Sequence, residues 1–310
     1  MWFIIALINP VFHATINHLD KYLLSDYLKK HLGEEYNPTG ALILISALFS
    51  IVILPIILLF NPGVLSISIV QGIVLMVNGA LLVTAIICYF YALERDEASI
   101  VAPLFQLIPV FSIFLGYFFL GEVLSTNKLI AIIFVVFGGI ILSLDLNNGV
   151  KKANIKKRLI GLMIISSLCY SLNAIVFKLI ATQQGFLDSL FWDMAGKLTF
   201  GIILFFFVRS YRESFMAIIN LRKTKVYAIN AGNEVLAIVG EIAIVLAVLY
   251  APVAMVQSVG GLQPLFVLLI GLLIPVLFKK IAKKSLTRNE IVQQVIGVVI
   301  ITLGGILLTV

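Results

Sequence analysis

Long apolar stretches alternate with short polar ones along the whole chain, and strand-like alternation of single apolar and polar positions is absent. A run of about 20 mainly apolar residues, rising 1.5 Å per residue as a helix, crosses the roughly 30 Å hydrocarbon core of a bilayer. Ten such runs can be read, bounded by charge, Pro, Gly or Asn. They are Trp2 to Leu23, Gly40 to Phe60, Ile69 to Leu93, Ala98 to Leu120, Lys128 to Leu144, Leu159 to Ala181, Ser189 to Val208, Val226 to Leu249, Val253 to Phe278 and Ile291 to Val310. Helices are the consistent form, because an open sheet would leave unpaired backbone in lipid. The longest connections, Ser25 to Thr39 and Arg209 to Lys225, are too short for a catalytic domain.

Composition strengthens this reading. The 310 residues are 61% apolar and 12% charged, and the mean hydropathy is +1.13, against about 45–50% apolar and about 25% charged in soluble domains. The surplus has to face lipid, which excludes a soluble enzyme, a nucleic-acid-binding domain and a secreted scaffold. Cys88 and Cys169 lie inside apolar stretches and read as small buried residues. Metal-ligand spacing and a GxxxxGK[ST] loop are absent, so neither a metal nor another cofactor is expected. Met1 to Leu7 lacks the basic region and cleavage site of a signal peptide and reads as the start of the first span.

The net charge of +7 is unevenly placed. Lys29, Lys30, Arg95, the run Lys151 to Arg158, Arg209, Arg212, Arg222, Lys223, Lys225 and the run Lys279 to Arg288 fall in connections on one side, and only Lys128 is a candidate for the other. Lys and Arg accumulate in cytoplasmic loops, so the expected setting is the cytoplasmic membrane with both termini outside. The competing reading is that these runs bind an acidic partner or anionic lipid.

Compared with itself at a shift of 155, the chain pairs Asn78 with Asn233, Leu107 with Leu262, Pro109 with Pro264, Phe111 with Phe266 and Gly116 with Gly271. Gly138-Gly139 then matches Gly304-Gly305, and Lys21 matches Lys178 in closing the first and sixth spans. These matches divide the chain into residues 1–146, a basic linker at 147–158 and residues 159–310. Because five spans is an odd number, the second half enters the membrane from the opposite side, giving an all-α 5+5 inverted-topology repeat. Secondary transporters are built this way around a midplane site.

The segment ALERDEASIVAPLFQLIPVFSIFLGYFFLGEVLS, from Ala92 to Ser125, with a closing GGIIL, resembles the EamA-type halves of the drug/metabolite transporter superfamily. That resemblance implies a central cavity lined mainly by the first, third, fourth, sixth, eighth and ninth spans, and transport of small metabolites. Gly121-Glu122, which follows the fourth span, has no counterpart after the ninth, where Val276-Leu277 stand.

A charge at mid-membrane costs about 2.5–3.5 kcal/mol on insertion scales, so each needs a partner, water or a function. Glu234 and Glu241 are seven residues apart in the eighth span and share a face. They read as a cavity face carrying a titratable carboxylate, Glu241 being the favoured one because its neighbours in VGEIAIV are apolar. The alternative is a structural partner such as Lys197. Asn78 and Asn233 sit at equivalent depths, as ligand contacts or interhelical glue. His13 and Asn17 share a face of the first span and His18 lies well round from them; a histidine there would titrate or serve structure.

Asp193 and Lys197, four apart, are expected to pair with each other, and Lys21 and Lys178 to snorkel towards headgroups. Trp2, Trp192 and Tyr250 suit interfacial belts. Tyr89, Tyr170, Gln106, Gln257 and Gln263 lie on spans that the resemblance assigns to the cavity, as aromatic walls and neutral hydrogen-bonding groups. Pro109 and Pro264 mark bends either at the site or in packing, and the Gly-Gly pairs permit close backbone approach.

The sequence therefore points to a secondary transporter of a small polar or amphipathic solute, working by alternating access with protons as a candidate coupling ion, as monomer or homodimer in the lipid bilayer. A lipid-phosphate flippase on the same scaffold is the alternative. An integral-membrane enzyme is disfavoured, since HExxH, GxGD and DDxxD strings are absent.

Overall fold

The computed structural model describes residues 1–21, 36–93, 101–143, 157–221, 224–277 and 288–309, with the side chains of His18, Asp20, Lys21, Leu93, Ala102, Pro103, Ser143, Lys157, Lys225, Val226 and residues 271–291 outside that description. Most of the basic linker at 147–158 and the basic runs near 222–225 and 279–288 also lie largely outside it. Among the described residues the chain is helical, without strands.

The helices are α1 (Trp2–Lys21), α2 (Pro38–Phe60), α3 (Ile69–Leu93), α4 (Leu107–Leu120), α5 (Thr126–Ser143), α6 (Lys157–Gln184), α7 (Phe186–Phe207), α8 (Arg209–Asn220), α9 (Thr224–Ala247), α10 (Val253–Val259), α11 (Gln263–Leu277) and α12 (Arg288–Thr309). Short 3₁₀ segments stand at Pro62–Ser66, Ala102–Gln106 and Gly260–Leu262. Among the described residues, seven helical stretches are long and apolar enough to cross a membrane, and shorter apolar helices occupy Trp2–Asn17, Leu104–Leu120 and Thr126–Leu142. Each of the ten apolar runs read from the sequence is thus helical over most of its described part.

Neighbours in space are far apart in sequence. The helix α3 packs against α6 and α7, α1 against α9 and α11, α2 against α7, α4 against α6 and α10, and α5 against α12. The α5/α12 contact is close because of the glycines singled out in sequence. A Cβ on Gly304 would lie 2.8 Å from the Val135 nitrogen, and one on Gly138 2.9 Å from that of Ile301. The largest apolar core joins α1, α5, α6, α10, α12 and the end of α9, with Ala247, Val248, Val253 and Val256 all fully buried.

The connection from Arg209 to Lys225 is mostly a helix, α8, rather than a loop. Extended backbone at Val208 ends α7 and turns the chain. Tyr211, Ser214 and Ile218 recur at helical spacing and are buried, packed against α2 and α7. The Ser214 hydroxyl accepts from the Asn37 N–H at 2.8 Å, and the Tyr91 and Tyr211 hydroxyls are hydrogen-bonded at 2.6 Å. Arg209 and Glu213 face outward as an exposed pair at 2.6 Å, which holds the Arg209 guanidinium above its usual pKa. With half its surface polar, this helix lacks the apolar run that identifies a span.

Candidate functional site

A cavity of about 240 Å³ lies among α1, α2, α3, α4, α6, α7, α9 and the α10–α11 break. It takes lining from both sides of the chain's midpoint. Among the residues expected at a site, Glu241, Glu234, Asn233, His13, Asn17, Tyr89, Gln106, Tyr170, Gln257 and Gln263 all line it, as does Pro109. Asn78 and Pro264 are not among the lining residues.

The two prolines account for part of the shape. Proline has no N–H to give to the carbonyl four residues back, and its ring crowds that carbonyl. Upstream of Pro109 the backbone is 3₁₀ at Ala102–Gln106, and upstream of Pro264 it is 3₁₀ at Gly260–Leu262. In both places the irregular backbone borders the cavity, through Phe105 and Gln106 on one side and Gly260 on the other.

The polar network begins behind Glu241. Lys197, fully buried on α7, donates to both carboxylate oxygens of Glu241, at 3.1 and 2.9 Å. The pairing of Asp193 with Lys197 expected from their spacing does not form, because tertiary contact offers each a better partner. Asp193 Oδ1 instead accepts from the Asn78 amide at 2.7 Å and the Asn173 amide at 3.4 Å. Asn78 and Asn173 also exchange bonds with each other's backbone carbonyls, both at 3.1 Å, tying α3 to α6. This arrangement needs α3 and α7 in near-contact. A Cβ on Gly79 would lie 2.0 Å from the Asp193 carbonyl oxygen, and one on Gly196 2.0 Å from that of Met76.

One wall is aromatic. The Tyr89 and Phe105 rings are 4.7 Å apart, and Phe105 meets Tyr170 edge-on at 6.1 Å. Facing chemistry comes from α1 and α9, whose polar lining residues are Asn9, His13, Asn17, Asn230, Asn233, Glu234 and Glu241.

The cavity is unequal along the helix axes. Towards the ends joined by the basic connections its lining reaches Asn17, Phe90 and Asn230, and Asn17 is exposed. Towards the other ends it stops beneath the buried layer of Ala247, Val248, Ala251 and Val253. There Lys178 does not snorkel. Its ammonium pairs with Glu122 at 2.6 Å and donates to the Ala251 carbonyl at 2.7 Å, and the other Glu122 oxygen accepts the Val253 N–H at 2.8 Å. Trp192 donates to the Val64 carbonyl at 2.8 Å, in the connection between α2 and α3.

Asn173, Asn9, Asn230 and Phe105 escaped the sequence reading, which placed Asp193 only as a partner for Lys197 and not at the cavity. Asn173 follows Tyr170 by one helical turn, and that spacing was a legible signal that both face one way. The partnership of Asp193 with amides from α3 and α6 had none.

The chain is a multi-pass membrane protein. Residues 2–144 match the EamA-like transporter family, in agreement with the resemblance read from Ala92 to Ser125. An uncharacterized protein of Methanocaldococcus jannaschii is 34% identical over 89 residues, which is 29% of this chain; the match spans 60% of that relative's length. A solved crystal structure shares the fold over 97% of this chain and 95% of its own, with a TM-score of 0.62 and 14% identity.

Proposed function

We propose that this protein is a secondary transporter of the drug/metabolite type, made of two five-helix halves of opposite orientation, residues 1–146 and 159–310. It carries a small solute through the cavity by alternating access, in the cytoplasmic membrane with both termini outside. The observation that carries the reading is a cavity lined from both halves, with a bond network across them at one end. Glu122 belongs to the first half, whereas Lys178, Ala251 and Val253 belong to the second. Helix neighbours support the inverted repeat: α1 with α9 corresponds to α6 with α3 when the halves are exchanged, and α5 with α12 maps onto itself.

Glu241 is the coupling residue in this reading. It faces the cavity while holding a buried ammonium, so a proton or ligand group arriving at its carboxylate competes directly with Lys197. Charge exchange at such a point is what a carrier needs to link occupancy to movement.

The test is flux into proteoliposomes under an imposed pH gradient, screened with amino acids, nucleosides and quaternary amines. The double variant Glu241→Gln with Lys197→Gln removes the pair without orphaning either charge. It should fold and lose the pH dependence of transport. pH-dependent flux persisting in the double variant overturns the coupling role. Absence of flux for every solute class in the parent protein overturns the transport reading. Orientation is tested separately by C-terminal fusions, where active alkaline phosphatase with dark GFP is expected.

A further inference from the structure

Asp193 stands apart from the other acids. It is only 2% exposed, yet it borders the cavity. Both hydrogen bonds to it come from neutral amides and both reach Oδ1; among the described residues Oδ2 accepts none, and no Lys, Arg or His lies within ion-pair distance. A buried carboxylate whose direct partners are neutral amides has no counter-ion in contact with it, an arrangement that a visiting cation would stabilise at membrane depth.

The second observation is what lies next to it. Asn173, which touches Asp193, is one helical turn from Tyr170 on α6. Tyr170 continues the aromatic wall through Phe105 to Tyr89. The aromatic wall is thus joined to Asp193 through Asn173 on the same helix as Tyr170, so a ligand whose ammonium meets Asp193 can lay an apolar body along it. The described lining contains Asp193, Glu234 and Glu241 but no Lys or Arg, and the Lys197 charge is already committed to Glu241. At about 240 Å³ the space is below the roughly 300–1,000 Å³ of drug-sized sites, which selects a metabolite-sized ligand.

We propose that the cavity is a site for small organic cations bearing an apolar or aromatic body, with Asp193 as the counter-charge and Tyr89, Phe105 and Tyr170 as the wall on which the body rests. The proposal names the solute class for the transport reading above, and its binding test stands apart from flux.

Thermal shift and calorimetry on the purified full chain, with benzyltrimethylammonium, tetramethylammonium, benzyl alcohol and phenylacetate at equal concentrations, separate charge from ring. Benzyltrimethylammonium should stabilise saturably and tetramethylammonium more weakly, whereas benzyl alcohol and phenylacetate should have no effect. Asp193→Asn keeps an acceptor for Asn78 and Asn173 and should weaken benzyltrimethylammonium at least tenfold. Phe105→Leu, outside the hydrogen-bond network, should weaken it several-fold while leaving tetramethylammonium unchanged, and it serves if the Asp193 variant does not fold. Phenylacetate binding as tightly as the cation, or full cation affinity in either folded variant, overturns the assignment. Binding with the expected selectivity but no flux above protein-free liposomes of radiolabelled benzyltrimethylammonium or of any other solute class upholds the site and overturns the transport reading. Flux of other solutes without cation binding does the reverse.

Discussion

Two lysines of the second half each hold a glutamate, and the two pairs stand at different places relative to the cavity. Lys197 is fully buried, and its partner Glu241 is 16% exposed on the cavity wall. Lys178 and Glu122 are similarly covered, at 15% and 12%, but they sit beyond the cavity and have backbone partners as well. A buried pair adds little net stability, because desolvation offsets the attraction, but losing one member strands the other charge. What differs is the surroundings. Glu241 faces a space that can bring a competing charge, whereas Glu122 and Lys178 close on carbonyl and amide groups that nothing mobile replaces. In the transport reading proposed above, the first pair responds to an occupant and the second keeps one end shut.

The largest effect should come from stranding a charge. Lys197→Met leaves Glu241 without its ammonium and should lower stability by about 3–5 kcal/mol, measured by denaturation in detergent; adding Glu241→Gln should restore most of it. Little loss in the single variant would show that water or another cation already serves Glu241.

Glu122→Gln keeps an oxygen for the Val253 N–H but removes the charge facing Lys178. A loss of about 1.5–3 kcal/mol is expected, the range for hydrogen bonds to charged groups. It should also speed maleimide labelling of a cysteine at Gln257 from the face opposite the basic connections, if this pair keeps that end closed. Unchanged labelling with reduced stability would make the pair a packing feature and erase the functional half of the comparison.

Neutral contacts should matter less. Asn78→Leu breaks the amide exchange with Asn173 and one bond to Asp193. Interhelical hydrogen bonds in membranes average about 0.6 kcal/mol with a maximum near 1.7, so about 1–2 kcal/mol is expected in thermal denaturation. Smallest of all, Arg209→Gln breaks only the exposed pair with Glu213 on α8 and should leave the melting temperature unchanged within error.

The apolar periodicity alone marked the helical stretches, because burial in lipid demands long runs whatever their neighbours are. The Pro and Gly register between Asn78 and Gly116 and its partner segment identified the backbone breaks that border the cavity, because proline acts on its own helix. Most of the polar cavity-lining side chains were legible as well, since a polar group at membrane depth is conspicuous in so apolar a chain. Partnership was not. Asp193 and Lys197 are ideally spaced to pair along α7, yet each turns to a different helix, and Lys178 finds Glu122 from 56 positions away. Helical spacing determines which side chains share a face. Which of two reachable partners takes a charge depends on distances between helices, and those are set where Gly79 and Gly196 let α3 and α7 meet. The amphipathic α8 was hidden for a related reason: its apolar strip is half a helix wide and is recognisable only against the α2 and α7 surfaces that cover it.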